Sequence, residues 1–284
     1  MKREITILLL SIVLIFCGCN PDPDPDPVKG PEEGGRIVPT TVTKRNVILE
    51  EFTGTNCVYC PDGHKIAGQL MKDNSGRLFA INVHGTSLAG TNPDYTTPFA
   101  NALINQTGLT GVPTGTINRH VFAEGKTILD RNNWGRHAAT VMAENSCVNI
   151  AAKTTLNHST RELKIKVEVY YTSDSKVPTN KLNIALLQNN ILGPQTGGSN
   201  YNPDQMVDDK YKHMHMLRHL ITDQWGDEIG TTTKGTFFTK EYTYKVPANY
   251  KNVDCVLDDL EVIIFVAEGN QEIITGIKSS ITKQ

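Results

Sequence analysis

Between Leu163 and Thr172 apolar and polar positions alternate strictly. Leu163, Ile165, Val167 and Val169 fall on one side, and Lys164, Lys166 and Glu168 on the other. A period of two with one polar face predicts a half-buried strand. Strand-like stretches recur at residues 147–154, 183–190, 210–220, 236–246, 261–267 and 272–279. Turn signals such as Gly193-Pro194 and Gly197-Gly198 separate them. Strands at this spacing predict an all-β antiparallel sandwich, Ig-like, over residues 146–284.

The pattern upstream is different. Asn46 to Phe52 reads as a buried strand, apolar but for two glutamates near its end. After a turn at Thr53–Asn56, a helical period runs through Ile66, Ala67, Leu70 and Met71. Arg77 to His84 is a second strand, and residues 98–107 a second helix. Gly115 to Asn118 is a short strand with a hairpin partner expected at His120 to Phe122. Residues 130–144 read as a closing helix, with Trp134, Ala138, Val141 and Met142 near one face. Strands alternating with helices predict an α/β domain over residues 45–145.

The N-terminus belongs to neither domain. Lys2 and Arg3 precede an apolar run from Ile5 to Phe16, too short to span a bilayer but suited to a signal-peptide core. It ends in Phe16-Cys17-Gly18-Cys19, which resembles a bacterial lipobox. On that reading residues 1–18 are a lipoprotein signal peptide and Cys19 is the lipidated residue. Residues 19–44 follow as an acidic tether. Its Pro and Asp alternate from Pro21 to Pro27. Proline removes backbone donors and forces its predecessor into extended geometry, and the aspartates repel one another. Such a segment lifts a domain off a membrane surface.

Charge narrows the function. The 284 residues carry 28 Lys+Arg against 30 Asp+Glu, a net −2. A nucleic-acid binder would show a strongly basic face, so no nucleic-acid partner is expected. With one apolar stretch at the extreme N-terminus, a multi-span transporter is excluded.

Four cysteines remain beyond Cys17 and Cys19: Cys57, Cys60, Cys147 and Cys255. Export to an oxidising compartment allows two disulfides. Cys57-Val58-Tyr59-Cys60-Pro61 lies between a strand and a helix. There the unpaired N–H groups and dipole of a helix start favour the first thiolate, and the second cysteine can resolve a mixed disulfide. Pro61 suits a first helical turn. Six residues before Cys57 stands Glu51, and Val112-Pro113-Thr114 precedes a later strand. Together these pieces resemble a thioredoxin-like domain. The resemblance implies a cis proline at Pro113 beside the dithiol and a proton acceptor for Cys60 at Glu51. Glu51 also reads as an exposed strand-end carboxylate. The usual aromatic before the first cysteine is replaced by Asn56, and no proline stands between the cysteines. Those residues tune the dithiol, so its potential is not legible. Cys57–Cys60 therefore reads either as an exchange-active pair or as a static bond.

Cys147 and Cys255 are the pair left over, and both fall in the second region. They are expected to form a structural disulfide inside the sandwich. Zinc is disfavoured because a single CxxC supplies half a site, and His64 on a polar helix face reads as solvated. Pro61 after Cys60 argues against haem attachment. Neither a metal nor another cofactor is expected. The run His213-Met214-His215-Met216-Leu217-Arg218-His219 reads as a strand with Met214 and Met216 buried and the histidines outward. Residues 195–209, rich in Gly, Asn and Asp, read either as a long surface loop or as one that binds a ligand or ion, without an EF-hand pattern.

The order of parts is more informative than any one of them. A lipoprotein signal, an acidic spacer, Leu-Glu-Glu-Phe-Thr-Gly-Thr before CxxCP, and a C-terminal β-sandwich containing His213-x-His215-x-x-Arg218 resemble the bacterial family named for a twenty-eight-kilodalton outer membrane protein. The resemblance implies outer-membrane residence through a lipid anchor, with surface display or adhesion. Two function classes stay open. One is envelope thiol–disulfide exchange with protein thiol substrates: Cys57 attacks, Cys60 resolves, Pro113 positions substrate backbone and Glu51 moves protons. The other is a non-catalytic surface lipoprotein that binds an extracellular ligand, with Cys57–Cys60 structural.

Overall fold

The computed structural model describes residues 35–123 and 125–284. The expected signal peptide, Cys19 and most of the tether lie outside the described residues. Among the described residues, no helix is long and apolar enough to cross a membrane.

The first half contains β1 (Val47–Thr53), α1 (Cys60–Asp73), β2 (Leu78–His84), α2 (Ala100–Thr107), β3 (Thr114–Ile117), β4 (Ile128–Asp130) and α3 (Trp134–Ala143). The second half opens with β5 (Val148–Asn157), β6 (Glu162–Tyr171), β7 (Asn180–Gln188), β8 (Ile191–Gly193), the single-turn α4 (Gly198–Tyr201), β9 (Met206–Val207), β10 (Lys210–His213) and β11 (Met216–Leu220). It continues through β12 (Asp227–Ile229), β13 (Phe237–Lys245), β14 (Asn249–Tyr250), β15 (Val253–Asp254), β16 (Leu260–Glu268), β17 (Glu272–Ser279) and β18 (Ile281–Lys283). The fold is mixed α/β, mostly strands with few helices.

A nine-stranded sheet runs β17-β16-β7-β11-β2-β1-β3-β4, with β12 beside β7. Strands from both sides of residue 145 thus share one sheet. They meet where β11 lies parallel to β2, Met216 opposite Asn82. The Asn82 backbone N–H donates to the His215 carbonyl at 2.8 Å, and its side-chain amide donates to the Met214 carbonyl at 3.1 Å. A second sheet, β13-β6-β5-β18, covers the β7 and β16 side in a sandwich-like arrangement. Its core is the inward set of the alternating strands: Leu163, Ile165, Val167 and Val169 against Leu182, Ile184, Val262 and Ile264.

β1 is buried along its whole length because it sits between β2 and β3 and is covered on both faces. Alternation sends Val47 and Leu49 toward α1 and α3, where Ala67, Trp134 and Ala138 pack. Ile48 and Phe52 face the other side, with Leu103 of α2 and Phe265. The adjacent Glu50 and Glu51 therefore point to opposite faces. Glu50 is held by Arg119 in a buried fork, Nε to Oε2 at 2.7 Å and Nη2 to Oε1 at 2.5 Å. Glu51 faces α1.

Three expectations are corrected. The hairpin partner of β3 is β4, not His120–Phe122. Asn118 and Arg119 take left-handed backbone (φ 52° and 47°), which turns the chain inward and delivers the Arg119 side chain to Glu50. The stretch 210–220 is two strands, because His215 (φ 52°) interrupts it and sends β10 and β11 to different sheets. Cys147 and Cys255 are free thiols, not a disulfide. Cys147 precedes β5 at the end where Val148 pairs with Tyr171, whereas the Cys255 carbonyl accepts from Arg161, beside the opposite end where Asn157 pairs with Glu162. The ten residues of β5 span about 30 Å, well beyond the reach of about 7 Å between bridged Cα atoms.

Candidate functional site

Cys57 and Cys60 form a disulfide with their Cα atoms 5.4 Å apart. Cys60 opens α1, and Pro61 follows in the first turn, where its missing N–H costs nothing. Cys57 lies three residues earlier, in a turn closed by its N–H donating to the Gly54 carbonyl at 3.1 Å. It is thus just before the helix start rather than within it. Cys57 is 4 % exposed and Cys60 0 %, while Val58 and Tyr59 between them face solvent. The Val112–Pro113 peptide is cis, and the Val112 carbonyl oxygen lies 3.6 Å from Cys57 Sγ. Residues from the two ends of the first half are brought to one place by the β1–β3 pairing, which sets Phe52 opposite Thr114.

Glu51 is 0 % exposed, so the strand-end reading is set aside. Neither carboxyl oxygen has a hydrogen-bond partner among the described residues. A Cβ placed on Gly63, three residues after Cys60, would lie 2.5 Å from Glu51 Oε1 and 3.0 Å from Pro113 Cβ. The bare glycine is what lets α1 close onto both residues. Burial pushes the Glu51 pKa well above the ordinary carboxyl value, and the Arg131 charge offsets part of that rise.

The second half supplies a wall to the site that the sequence did not reveal. Gln195 Nε2 donates to the carbonyls of Gly54 at 3.1 Å and Cys57 at 3.0 Å. The Thr196 N–H donates to the Thr55 carbonyl at 2.8 Å. Gly197 (φ 78°) packs so close that an added Cβ would lie 2.1 Å from the Val58 carbonyl oxygen. Tyr201 of α4 meets Tyr59 edge-on, ring centroids 5.1 Å apart. The segment read as a surface loop is therefore docked on the CxxC turn.

Behind Glu51 lies a set of buried rings. His64, expected in solvent, is nearly buried: its Nε2 is 2.9 Å from Thr53 Oγ1 and 3.8 Å from Glu51 Oε1, and its Nδ1 is 3.0 Å from the Tyr211 hydroxyl. His213 points inward, contrary to the outward reading, and its ring meets those of Tyr211, Tyr95 and His84 at 5.1, 5.0 and 5.5 Å. Burial lowers the His64 pKa to about 3, helped by His213 and His215. It lowers His213 to about 4 despite the Pro194 carbonyl, and takes His84 well below its ordinary value. All three are neutral imidazoles at pH 7. His64 and Tyr211 also line a cleft of about 140 Å³ with Asn82, Asn202, Gln205 and His215. His84, at the end of β2 opposite Thr53, was within reach of strand alternation. Gln195, Tyr211 and His213 came from pairings with no local signal. Among the described residues, no group of three or more His, Cys, Asp or Glu side chains is arranged to hold a metal.

A family model described as outer membrane protein Omp28 matches residues 100–284, which include Pro113 and the docked loop but not Glu51, Cys57 or Cys60. No curated protein matches the chain. Among solved structures, HBP35 of Porphyromonas gingivalis superposes with a TM-score of 0.68 at 22% identity, covering 84% of this chain and 76% of its own. That likeness is one of fold. A domain of the outer membrane lipoprotein Omp28 from Porphyromonas gingivalis aligns over 49% of this chain and 91% of its own, at 17% identity and a TM-score of 0.33.

Proposed function

The chain belongs to the Omp28 family of outer membrane proteins, and from that premise we propose that it is an outer-membrane lipoprotein carrying out thiol–disulfide exchange in the cell envelope. Cys19 carries the lipid, residues 19–44 form the tether, and residues 45–145 form a thioredoxin-like unit that residues 146–284 buttress. Protein thiols are the substrates.

One observation carries the reading: Glu51 is a fully buried acid without a hydrogen-bond partner among the described residues, set under the first turn of the helix that Cys60 begins. Burying such a group without a partner costs a fold about 1–3 kcal/mol or more. A static disulfide has no use for it. The alternative, an adhesion lipoprotein in which Cys57–Cys60 only pins a turn, leaves that cost unexplained.

In the exchange reaction a substrate thiolate attacks Cys57 Sγ. The Cys57–Cys60 bond breaks, and Cys60 leaves with the electron pair and takes a proton from neutral Glu51. A second substrate thiolate then attacks the mixed disulfide and releases Cys57. The substrate dithiol has become a disulfide, and two electrons have passed to the protein. A disulfide oxidant reverses the sequence. Pro113 lines the entry beside Cys57 and positions the incoming backbone.

The test is trapping. Cys60→Ser, which cannot resolve, accumulates mixed disulfides with envelope proteins through Cys57, and Cys57→Ser does not. Equal absence of adducts from both variants, with Cys57 inert to alkylation in Cys60→Ser, overturns the reading.

A further inference from the structure

We propose that His64, with Tyr211 behind it, is a proton-relay pair that connects Glu51 to the solvent of the cleft that both residues line. The inference rests on the exchange reading above and adds to it the route by which the buried acid is resupplied.

Glu51 cannot meet bulk water, being completely buried. When it gives its proton to Cys60, the product is a buried carboxylate whose oxygens have no hydrogen-bond donor among the described residues. That state is costly in a low-dielectric site, and the Arg131 charge offsets only part of it. The transfer becomes easier if a second proton reaches Oε1 as the first departs. The side chain facing Oε1 is His64, whose Nε2 is 3.8 Å away, and such catalytic contacts are often long before substrate binds.

The hydrogen-bond chain fixes which His64 nitrogen holds the proton. Asn202 Nδ2 donates to the Tyr211 hydroxyl oxygen at 3.0 Å. The Tyr211 O–H is then free to donate to His64 Nδ1, also at 3.0 Å. Nδ1 is therefore the acceptor, and the imidazole proton sits on Nε2, the nitrogen turned toward Thr53 and Glu51. A neutral imidazole in this tautomer can release Nε2–H to Glu51 while taking the hydroxyl proton of Tyr211 on Nδ1. Tyr211 recovers its proton from the cleft that both residues line. One proton enters, one passes to Cys60, and no charge remains on Glu51, His64 or Tyr211. The reverse sequence carries the Cys60 proton out during oxidation.

Position in the fold favours this over a purely structural role. His64 is four residues after Cys60 on α1, one turn below the dithiol, so the helix that carries the cysteine also carries the relay. Tyr211 comes from β10 in the other half of the chain.

The experiment uses the full-length protein in detergent and follows reduction of Cys57–Cys60 by dithiothreitol through rapid alkylation and quenching. His64→Ala is expected to reduce about a hundredfold more slowly at pH 7, the lower end of what positioned proton transfer contributes. Added imidazole, which fits the vacated site, is expected to restore most of the rate. His64→Gln preserves size and hydrogen bonding but cannot exchange protons, and it is expected to be as slow as His64→Ala. It serves as the test should His64→Ala fail to fold. A folded His64→Gln that reduces at the wild-type rate, or a slow His64→Ala that imidazole does not rescue, overturns the relay while leaving the exchange reading intact. A wild-type disulfide that dithiothreitol does not open overturns the exchange reading, and the relay with it.

Discussion

Gln195 donates its side-chain amide to the carbonyl of Cys57 at 3.0 Å, across 138 residues of sequence. The same nitrogen reaches the Gly54 carbonyl, so a single side chain from the second half closes both ends of the turn that carries the first cysteine. The CxxC turn is therefore not a property of the first half alone.

Removing this clasp should loosen the turn without unfolding the protein. Gln195→Ala takes one donor from each of two carbonyls that keep a backbone N–H, that of Cys57 on Gly54 and that of Cys60 on Cys57, a loss of about 0.5–1.5 kcal/mol in urea unfolding. Gly197→Ala is expected to be worse locally, since its Cβ would meet the Val58 carbonyl and its backbone is left-handed. Limited proteolysis should then cut within residues 194–205 in Gly197→Ala and spare the wild type. Equal resistance in both proteins would show that the loop is not held by this contact.

The fork between Arg119 and Glu50 is buried on both sides, and Arg119 also lies over the Trp225 and Phe265 rings. Breaking one partner strands a buried charge. Arg119→Met should cost about 3–5 kcal/mol in chemical denaturation. A loss below about 1 kcal/mol would mean that the carboxylate finds water or another donor.

The free state of Cys147 and Cys255 makes a clean expectation. Peptide mapping of denatured, unreduced protein should find both alkylated and Cys57–Cys60 bonded. The double variant Cys147→Ser, Cys255→Ser should retain most of its stability. Loss of a bridge closing so long a loop would instead cost on the order of 4–5 kcal/mol.

Stability should fall on mild acidification. In the folded chain His64 and His213 titrate near 3 and 4, and His84 well below its ordinary value, because burial disfavours their charged forms. The unfolded chain takes up these protons from pH 6.5 downward, so it binds more than the folded chain does. Each such histidine removes up to about 1.4 kcal/mol per pH unit until its folded value is reached. Glu51 has the opposite sign. Its raised pKa gives stability that is complete below 4.5 and is lost as pH rises through its folded value. The urea midpoint should therefore drop steadily from pH 7 to pH 5, and a flat profile would contradict neutral burial of the three rings.

Local pattern made the elements legible and left their partners hidden. Period-two alternation located β6, and strand-like stretches located β5, β7, β13, β16 and β17, to within a few residues. The CxxC stands out by its chemistry between a strand and a helix, and Glu51 and Pro113 could be named through the resemblance to a thioredoxin-like domain that it carries. What failed was long-range. His64 looked polar and solvated because the chain that covers it, from Asn202 to Tyr211, is over 130 residues away. His213 was read outward because strict alternation assumes an unbroken strand, and the left-handed His215 breaks it. Cys147 and Cys255 were paired by elimination, a rule blind to the length of β5 between their surroundings.

The most direct test of the account is the reduction potential of Cys57–Cys60, measured by equilibrating the purified protein with defined dithiol–disulfide buffers and counting alkylated thiols. The account predicts a reversible two-electron transition at a potential more oxidising than about −300 mV, the range of labile and catalytic disulfides. A bond that stays closed below that value, or that opens only when the protein is denatured, would mark Cys57–Cys60 as structural and contradict the central claim.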